Sequence, residues 1–332
     1  MIGYIGRRLL LLIPVLFTIS LVSFFLIELP RGDFVSSLVA NMRAQGIELT
    51  GGEIEAITRQ YGLDRSVFER YVSWISNIVL EGDFGRSYRN DQPVTQILAD
   101  RVPLTIGISL FTTAFVFAVS IPIGIFSATH KYSVFDYIFT FIGFIGIAVP
   151  GFLVALVLLW VFYSAFGWSM SGLFSQEYVG APWSLAKFGD MLKRIWFPII
   201  IIGLNGTAGL IRVMRGNLLD ELEKQYTVTA RAKGLREGQL LLRYPVRLAV
   251  NPIVSTVGWL LPAIVGGEVL VSIVLNLQTI GPVLLDAIIS QDLYLAASVI
   301  LILSTLTVIG TLLADILLAW VDPRIRFEKA SA

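Results

Sequence analysis

Residues Gln225 to Pro252 read QYTVTARAKGLREGQLLLRYPVRLAVNP, with five basic residues against a single acid, Glu237. The chain around them is oily, with a mean hydropathy of +0.77. Ala230, Ala232 and Gly234 leave room for another backbone to come close, and Gly234 suits the end of a short helix, where a left-handed residue is needed. Arg231, Lys233 and Arg236 surround that small surface with positive charge, and Leu240 to Leu242 lead into a second helical piece before Pro245 and Pro252. By pattern alone such a segment either lies against anionic lipid headgroups or receives a partner. Its place in the topology narrows the choice.

Of 332 residues, 55% are hydrophobic and 15% charged, against about 25% charged in soluble domains. Water is therefore not the main solvent of this chain, and membrane lipid is its first partner. A net charge of +1 argues against a nucleic-acid binder, which carries a basic excess on one face. The absence of cysteine excludes disulfides, thiolate zinc sites, iron-sulfur clusters and thiol nucleophiles.

Apolar runs of about 20 residues, enough to cross a bilayer core as a helix, occur at six places: Leu9–Leu29, Pro103–Thr129, Phe135–Phe166, Ile195–Met214, Pro252–Leu277 and Leu293–Val321. The first is too long for a signal peptide and lacks a small-x-small cleavage site, so it is read as retained. Arg7 and Arg8 precede the first run, His130 and Lys131 separate the second from the third, eight basic residues lie between Arg212 and Arg247, and Arg324, Arg326 and Lys329 follow the sixth. With six crossings these clusters share one side, which the positive-inside rule makes cytoplasmic, along with both termini. The quoted stretch is then cytoplasmic. Pro30 to Arg101 falls outside; its eight arginines are outnumbered by ten acids, and a loop this long translocates regardless of charge. Within it, Glu53 to Val79 shows apolar residues at helical spacing after a Gly51-Gly52 turn. The apolar faces of these short amphipathic helices pack on the chain's own membrane domain, on the lipid surface, or on a dedicated partner.

Catalysis is tested mostly by absence. His130 is the only histidine and sits at a membrane boundary, with no G-x-S-x-G elbow to accompany it. No G-x-x-x-x-G-K-[ST] phosphate loop occurs, so this chain has no ATPase site of that kind. Ionisable groups inside a membrane are costly and face a cavity or a partner. Glu268, within IVGGEVLV, either bonds a neighbouring helix or lines a pathway; Asp315, within TLLADILLAW, reads as structural; Glu28 and Asp286 read as interfacial. The glycines of FIGFIGIAVPGF (141–152) and GLNGTAG (203–209) permit close helix approach, and Pro150 permits bending.

The stretch TARAKGL, Thr229 to Leu235, resembles the cytoplasmic coupling loop of permease subunits in binding-protein-dependent ABC importers, and within them the peptide/nickel group. YIGRRLLLLIPVLFTISLVSFFL (4–26), GLDRSVFERYVSWI (62–75), EGDFGRSY (81–88), IAVPGF (147–152) and VDPRIRF (321–327) are similar to further segments of that group, in the same order. The resemblance implies an all-α integral membrane protein of six transmembrane helices with the type I ABC importer permease fold, one permease domain over residues 1–332, in the bacterial cytoplasmic membrane. It implies a second homologous permease subunit, two ATPase subunits that hold ATP and Mg, and an external solute-binding protein, with no cofactor bound by this chain. The coupling helix would be carried by Thr229, Ala230, Arg231, Ala232, Lys233, Gly234, Leu235 and Arg236 within a cytoplasmic loop of residues 215–251. Glu268, Ser272 and Pro150 are candidates for the translocation path.

The sequence also departs from the group. Its common fifth-span acid falls at Ser272, with Glu268 one turn earlier; LNLQTIGP (275–282) lacks the usual L-P-G-I-G; PRGDF (30–34) replaces P-G-D-P; and Pro245 stands where alanine is usual. Peptide is the first choice of solute, with oligosaccharide, opine or nickel chelate as alternatives. A self-sufficient secondary transporter or channel, driven by an ion gradient, is the competing class.

Overall fold

The computed structural model describes residues 2–29 and 34–321, without the side chains of 2–5, 7–9, 255, 257–259, 261–262, 267–268, 314 and 317–321. The Arg7-Arg8 side chains, the start of PRGDF, the Glu268 side chain and the C-terminal arginines therefore lie outside the described residues. Regular structure among the described residues is helical, apart from one isolated bridge between Arg86 and Pro93. In chain order the α-helices are α1 Ile2–Glu28, α2 Phe34–Ala44, α3 Gly51–Gln60, α4 Val67–Glu81, α5 Val94–Thr129, α6 Val134–Ala148 and α7 Gly151–Phe166. They continue as α8 Leu185–Arg194, α9 Trp196–Leu222, α10 Gln225–Ala232, α11 Glu237–Arg243, α12 Pro245–Val274, α13 Ile280–Ile289 and α14 Leu293–Val321.

Among the described residues, four helices are long and apolar enough to cross a membrane, Leu10–Glu28, Val94–Thr129, Trp196–Leu222 and Leu293–Leu313, and a bent pair adds a fifth candidate. That pair covers the apolar run expected over 135–166, and the bend that Pro150 permits is sharp: α6 and α7 meet at 111°. The reason is local. Pro150 has no N–H to continue the ladder and disfavours the helical region for Val149, which is extended at φ −99°, ψ 126°.

The described residues divide into two compact units, one holding 106–277 and 309–321, the other 2–29, 34–105 and 278–308. In the second, α4 packs on α1. Phe24 is fully buried, its ring centroid 5.5 Å from Tyr71 and 5.3 Å from Trp74, and Tyr71 shares a 3.0 Å hydrogen bond with Ser20. The apolar face expected over Glu53 to Val79 thus lies partly on the chain's own helix, while Phe68 and Val72 of α4 remain exposed.

Two expectations change here. Gly51 and Gly52 form the first turn of α3 rather than a preceding turn, because Thr50 and Glu53 make a reciprocal capping box that satisfies the Thr50 and Glu53 N–H groups. Glu28 is not merely interfacial: it pairs with Arg70 Nη2, and Arg70 is 5% exposed, with no bonded partner for its Nε and Nη1 among the described residues. Arg70→Ala should lower the stability of the subunit by about 2 kcal/mol, below the usual cost of breaking a buried pair because Glu28 keeps some solvent. Arg70→Met, which refills the volume, should lose less; the midpoints of thermal unfolding in detergent compare them. Asp292, also unforeseen, is fully buried and receives Ser87 Oγ at 2.6 Å, Arg89 N at 3.2 Å and Leu295 N at 3.2 Å. It caps α14 and ties EGDFGRSY to it; burial pushes its carboxyl above the usual range, against the pull of those donors.

In the first unit, α9 is the central element, packed against α6, α7 and α12. Met214, Leu218, Ala249 and Ile253 form its core with Val116. Helix α8, beside α9 in sequence, buries Lys187 with Met191 and exposes three large apolar side chains. Lys187 donates to the Ala181 carbonyl and Asp190 accepts from Ser175, whereas Leu185, Phe188 and Leu192 are exposed. That polarity suits lipid rather than water.

Candidate coupling helix and membrane cavity

Helix α9 runs into α10 through Glu223 and Lys224, and side chains stiffen the junction. The Thr227 hydroxyl donates to the Glu221 carbonyl at 2.9 Å, and the Tyr226 hydroxyl donates to the Glu221 carboxylate. Burial first, and the carboxylate second, push the Tyr226 hydroxyl up to about 12, so it stays protonated as a donor. Helix α10 ends in a Schellman motif: Gly234 N bonds Arg231 O at 3.0 Å and Leu235 N bonds Ala230 O at 3.4 Å. The motif needs a left-handed residue, and Gly234 supplies φ +80°. Arg236 then opens α11, whose Leu240 is fully buried.

The small residues do not share one face. Ala230 is buried in its own chain, whereas Thr229, Ala232, Lys233, Gly234 and Arg236 are exposed and Leu235 is half-buried. Arg231 is engaged within the loop: Nε donates to Glu237 Oε1 at 2.6 Å and Nη2 to Oε2 at 3.3 Å. The surface therefore presents Ala232 and Gly234, flanked by the cations of Lys233 and Arg236.

Within the same unit, the α6–α7 break opens on a cavity of about 320 Å³ lined by Val149, Pro150, Leu204, Asn205 and Val271, among others. Among the described side chains, the Asn205 amide is the polar one in an otherwise apolar wall. Of the expected path residues, Pro150 lines this cavity. Ser272 does not, being fully buried with its hydroxyl bonded to Val269 O at 2.8 Å. Asn205 escaped sequence reading because an amide inside GLNGTAG carries no charge to mark it. No group of three or more histidine, aspartate or glutamate side chains among the described residues is placed to hold a metal ion.

Helices of this length and polarity, a broken membrane helix beside an apolar cavity and a short capped helix at the end of α9 describe a multi-pass membrane protein. The chain belongs to the family described as binding-protein-dependent transport system inner membrane component, which matches residues 120–327, while its N-terminal counterpart matches residues 1–109. It is 33% identical to the oligopeptide transport system permease protein AppB of Bacillus subtilis, over 98% of this chain and 100% of the relative. It is 29% identical to the oligopeptide permease OppB of Haemophilus influenzae, over 98% of this chain and 100% of that one. The dipeptide permease DppB of Alkalihalophilus pseudofirmus is 28% identical, with the same two shares covered.

Proposed function

We propose that this chain is the transmembrane subunit of an ATP-driven importer, forming half of a path for peptides and coupled to separate ATPase subunits by alternating access. The observation that carries the reading is full-length similarity to permeases named for oligopeptide and dipeptide transport. The short helix α10 at the end of α9, closed by the turn at Gly234 and carrying exposed Ala232, Lys233 and Arg236, supports it. Six crossings follow if the bent pair counts once and α12 is the sixth, and both termini are then cytoplasmic by the positive-inside rule. The chain acts as one permease domain, with residues 30–101 outside and 215–251 as the coupling loop; it binds no cofactor, and ATP and Mg belong to the ATPases. A second permease subunit and an external binding protein complete the assembly. Residues Thr229 to Arg236 form the docking helix, and the recess lined by Leu235, Gln239, Leu242 and Arg243 beside it receives part of the ATPase surface. The cavity at Pro150 belongs to the path, and Glu268 is the acid to probe there. A self-sufficient transporter or channel is not favoured.

The test is purification from native membrane through a tag on this chain, reconstitution into liposomes, and uptake of the solutes released from the copurified binding protein. Uptake should require hydrolysable ATP, and mass spectrometry should identify peptides. Full-rate, solute-selective uptake by this chain reconstituted alone overturns the importer reading. A sugar, an opine or a nickel chelate on the binding protein overturns the choice of solute.

A further inference from the structure

Resting on the coupling role of α10, we propose that Asp136 and Arg215 are positioning residues that strap α6 to α9, so that movement of the coupling helix reaches the α6–α7 break at Pro150. Arg215 Nε donates to Asp136 Oδ1 and Nη2 to Oδ2, both at 2.9 Å. The side chain of Asp136 is 3% exposed and that of Arg215 27%. Two parallel charge-assisted bonds fix the orientation of both planes, which a single bond would not. A pair so nearly buried adds little net stability, because desolvation offsets the attraction. Its effect is geometric.

Asp136 also holds the turn that precedes α6. Its Oδ2 accepts Tyr132 N at 3.0 Å, and Tyr132 stands at φ +64°, a conformation uncommon for a residue with a Cβ. One carboxylate thus joins the end of the α5–α6 turn, the first turn of α6 and the last third of α9.

The rest of the α6–α9 contact turns this strap into a lever. The helices run antiparallel. Arg212 lies 5.0 Å from the Phe144 ring centre, Gly143 faces Ala208, and a Cβ on Gly146 would stand 3.1 Å from Leu204 Cγ and 3.3 Å from Leu204 O. Beyond Gly146 come Val149 and Pro150, which line the cavity together with Leu204 and Asn205. At the other end of α9, the Thr227 and Tyr226 bonds to Glu221 join it to α10. Helix α9, about 40 Å long at 1.5 Å per residue, therefore carries α6 with it, and the bend at Pro150 is where the motion changes the cavity.

The experiment compares Asp136→Asn, Arg215→Gln and the double variant in the complete importer, with solute imported per ATP hydrolysed as the readout. Asparagine keeps an acceptor for Tyr132 N and gives up the fork. Each single variant should copurify its ATPases, hydrolyse ATP at a near-normal rate and import about tenfold less solute per ATP, within the usual range of coupling between sites. The double should be no worse than the worse single, as for two groups acting as one unit. An unchanged ratio in complexes that unfold at the wild-type temperature overturns the strap, as does a fall in transport matched by an equal fall in hydrolysis. If the asparagine variant does not assemble, Arg215→Lys, which keeps the charge but not the fork, is read by the same ratio. Failure of the coupling reading itself looks different: no ATPase would copurify with the wild type.

Discussion

Replacing Gly234 by tryptophan is expected to strip the ATPase subunits from the assembly while the permease still inserts and folds. Two features combine to give this result. Gly234 sits at φ +80°, where a Cβ is strained, yet the place its Cβ would occupy has nothing within 4 Å. The strain of a left-handed non-glycine residue is about 1–2 kcal/mol, small beside the stability of a membrane subunit. The indole has no core to disturb, so it projects from the end of α10, across the surface that Ala232 and Gly234 present. Gly234→Ala separates the two effects: it carries the same backbone strain without the bulk, so it should weaken ATPase association only slightly. Copurification through a tag on this chain, followed by ATP-dependent uptake, reads both. Undiminished transport by the tryptophan variant would mean that the end of α10 is not a docking surface.

The parts of this molecule that were legible in its sequence are those with local or periodic causes. Leu293 begins and Val321 ends α14 as the apolar run does, and the turn at Gly234 follows from one residue type at the end of one short helix. The capping box at Thr50 and Glu53 was equally local, but the pair of glycines inside it reads as a turn until the reciprocal bonds are counted. The break at Pro150 was marked by the proline, although a long apolar run conceals how sharply the helix turns. What the sequence did not disclose are pairings across long separations. Arg215 lies 79 residues from Asp136, and Ser87 lies 205 residues from Asp292. A carboxylate opening an apolar run, as both aspartates do, is itself an N-terminal signal of a helix. Nothing nearby names the arginine or the serine that completes the site. The same holds for Glu28, whose partner Arg70 comes from α4. In each pair at least one polar group is nearly removed from water, so it needs a partner, yet only the fold supplies its identity.

Close helix approach gives the largest effect on stability, and it lies at a glycine that no motif singled out. A Cβ placed on Gly124 of α5 would stand 2.6 Å from Met214 Cβ, 2.7 Å from Met214 Cγ and 3.2 Å from Ile211 O. Met214 is fully buried among Leu210, Leu218 and Val116, so the obstruction includes a core side chain and the α9 backbone. Helix propensity alone says that Gly124→Ala stabilises by about 1 kcal/mol; the contact says the reverse. Overpacking a tight core costs about 1–3 kcal/mol, so Gly124→Ala should be net destabilising and Gly124→Val should lose roughly 3 kcal/mol, seen as a lower unfolding temperature and poor recovery of the subunit. The sign of the alanine variant decides between propensity and contact. Met214→Ala removes the Cγ contact but leaves the Cβ one, so it should relieve Gly124→Ala less than Met214→Gly, which removes both, a non-additivity expected of residues in contact. If Gly124→Ala raises the unfolding temperature, α5 and α9 do not approach as closely as the structure has them, and the packing of α9 that underlies both the strap and the coupling helix would have to be redrawn.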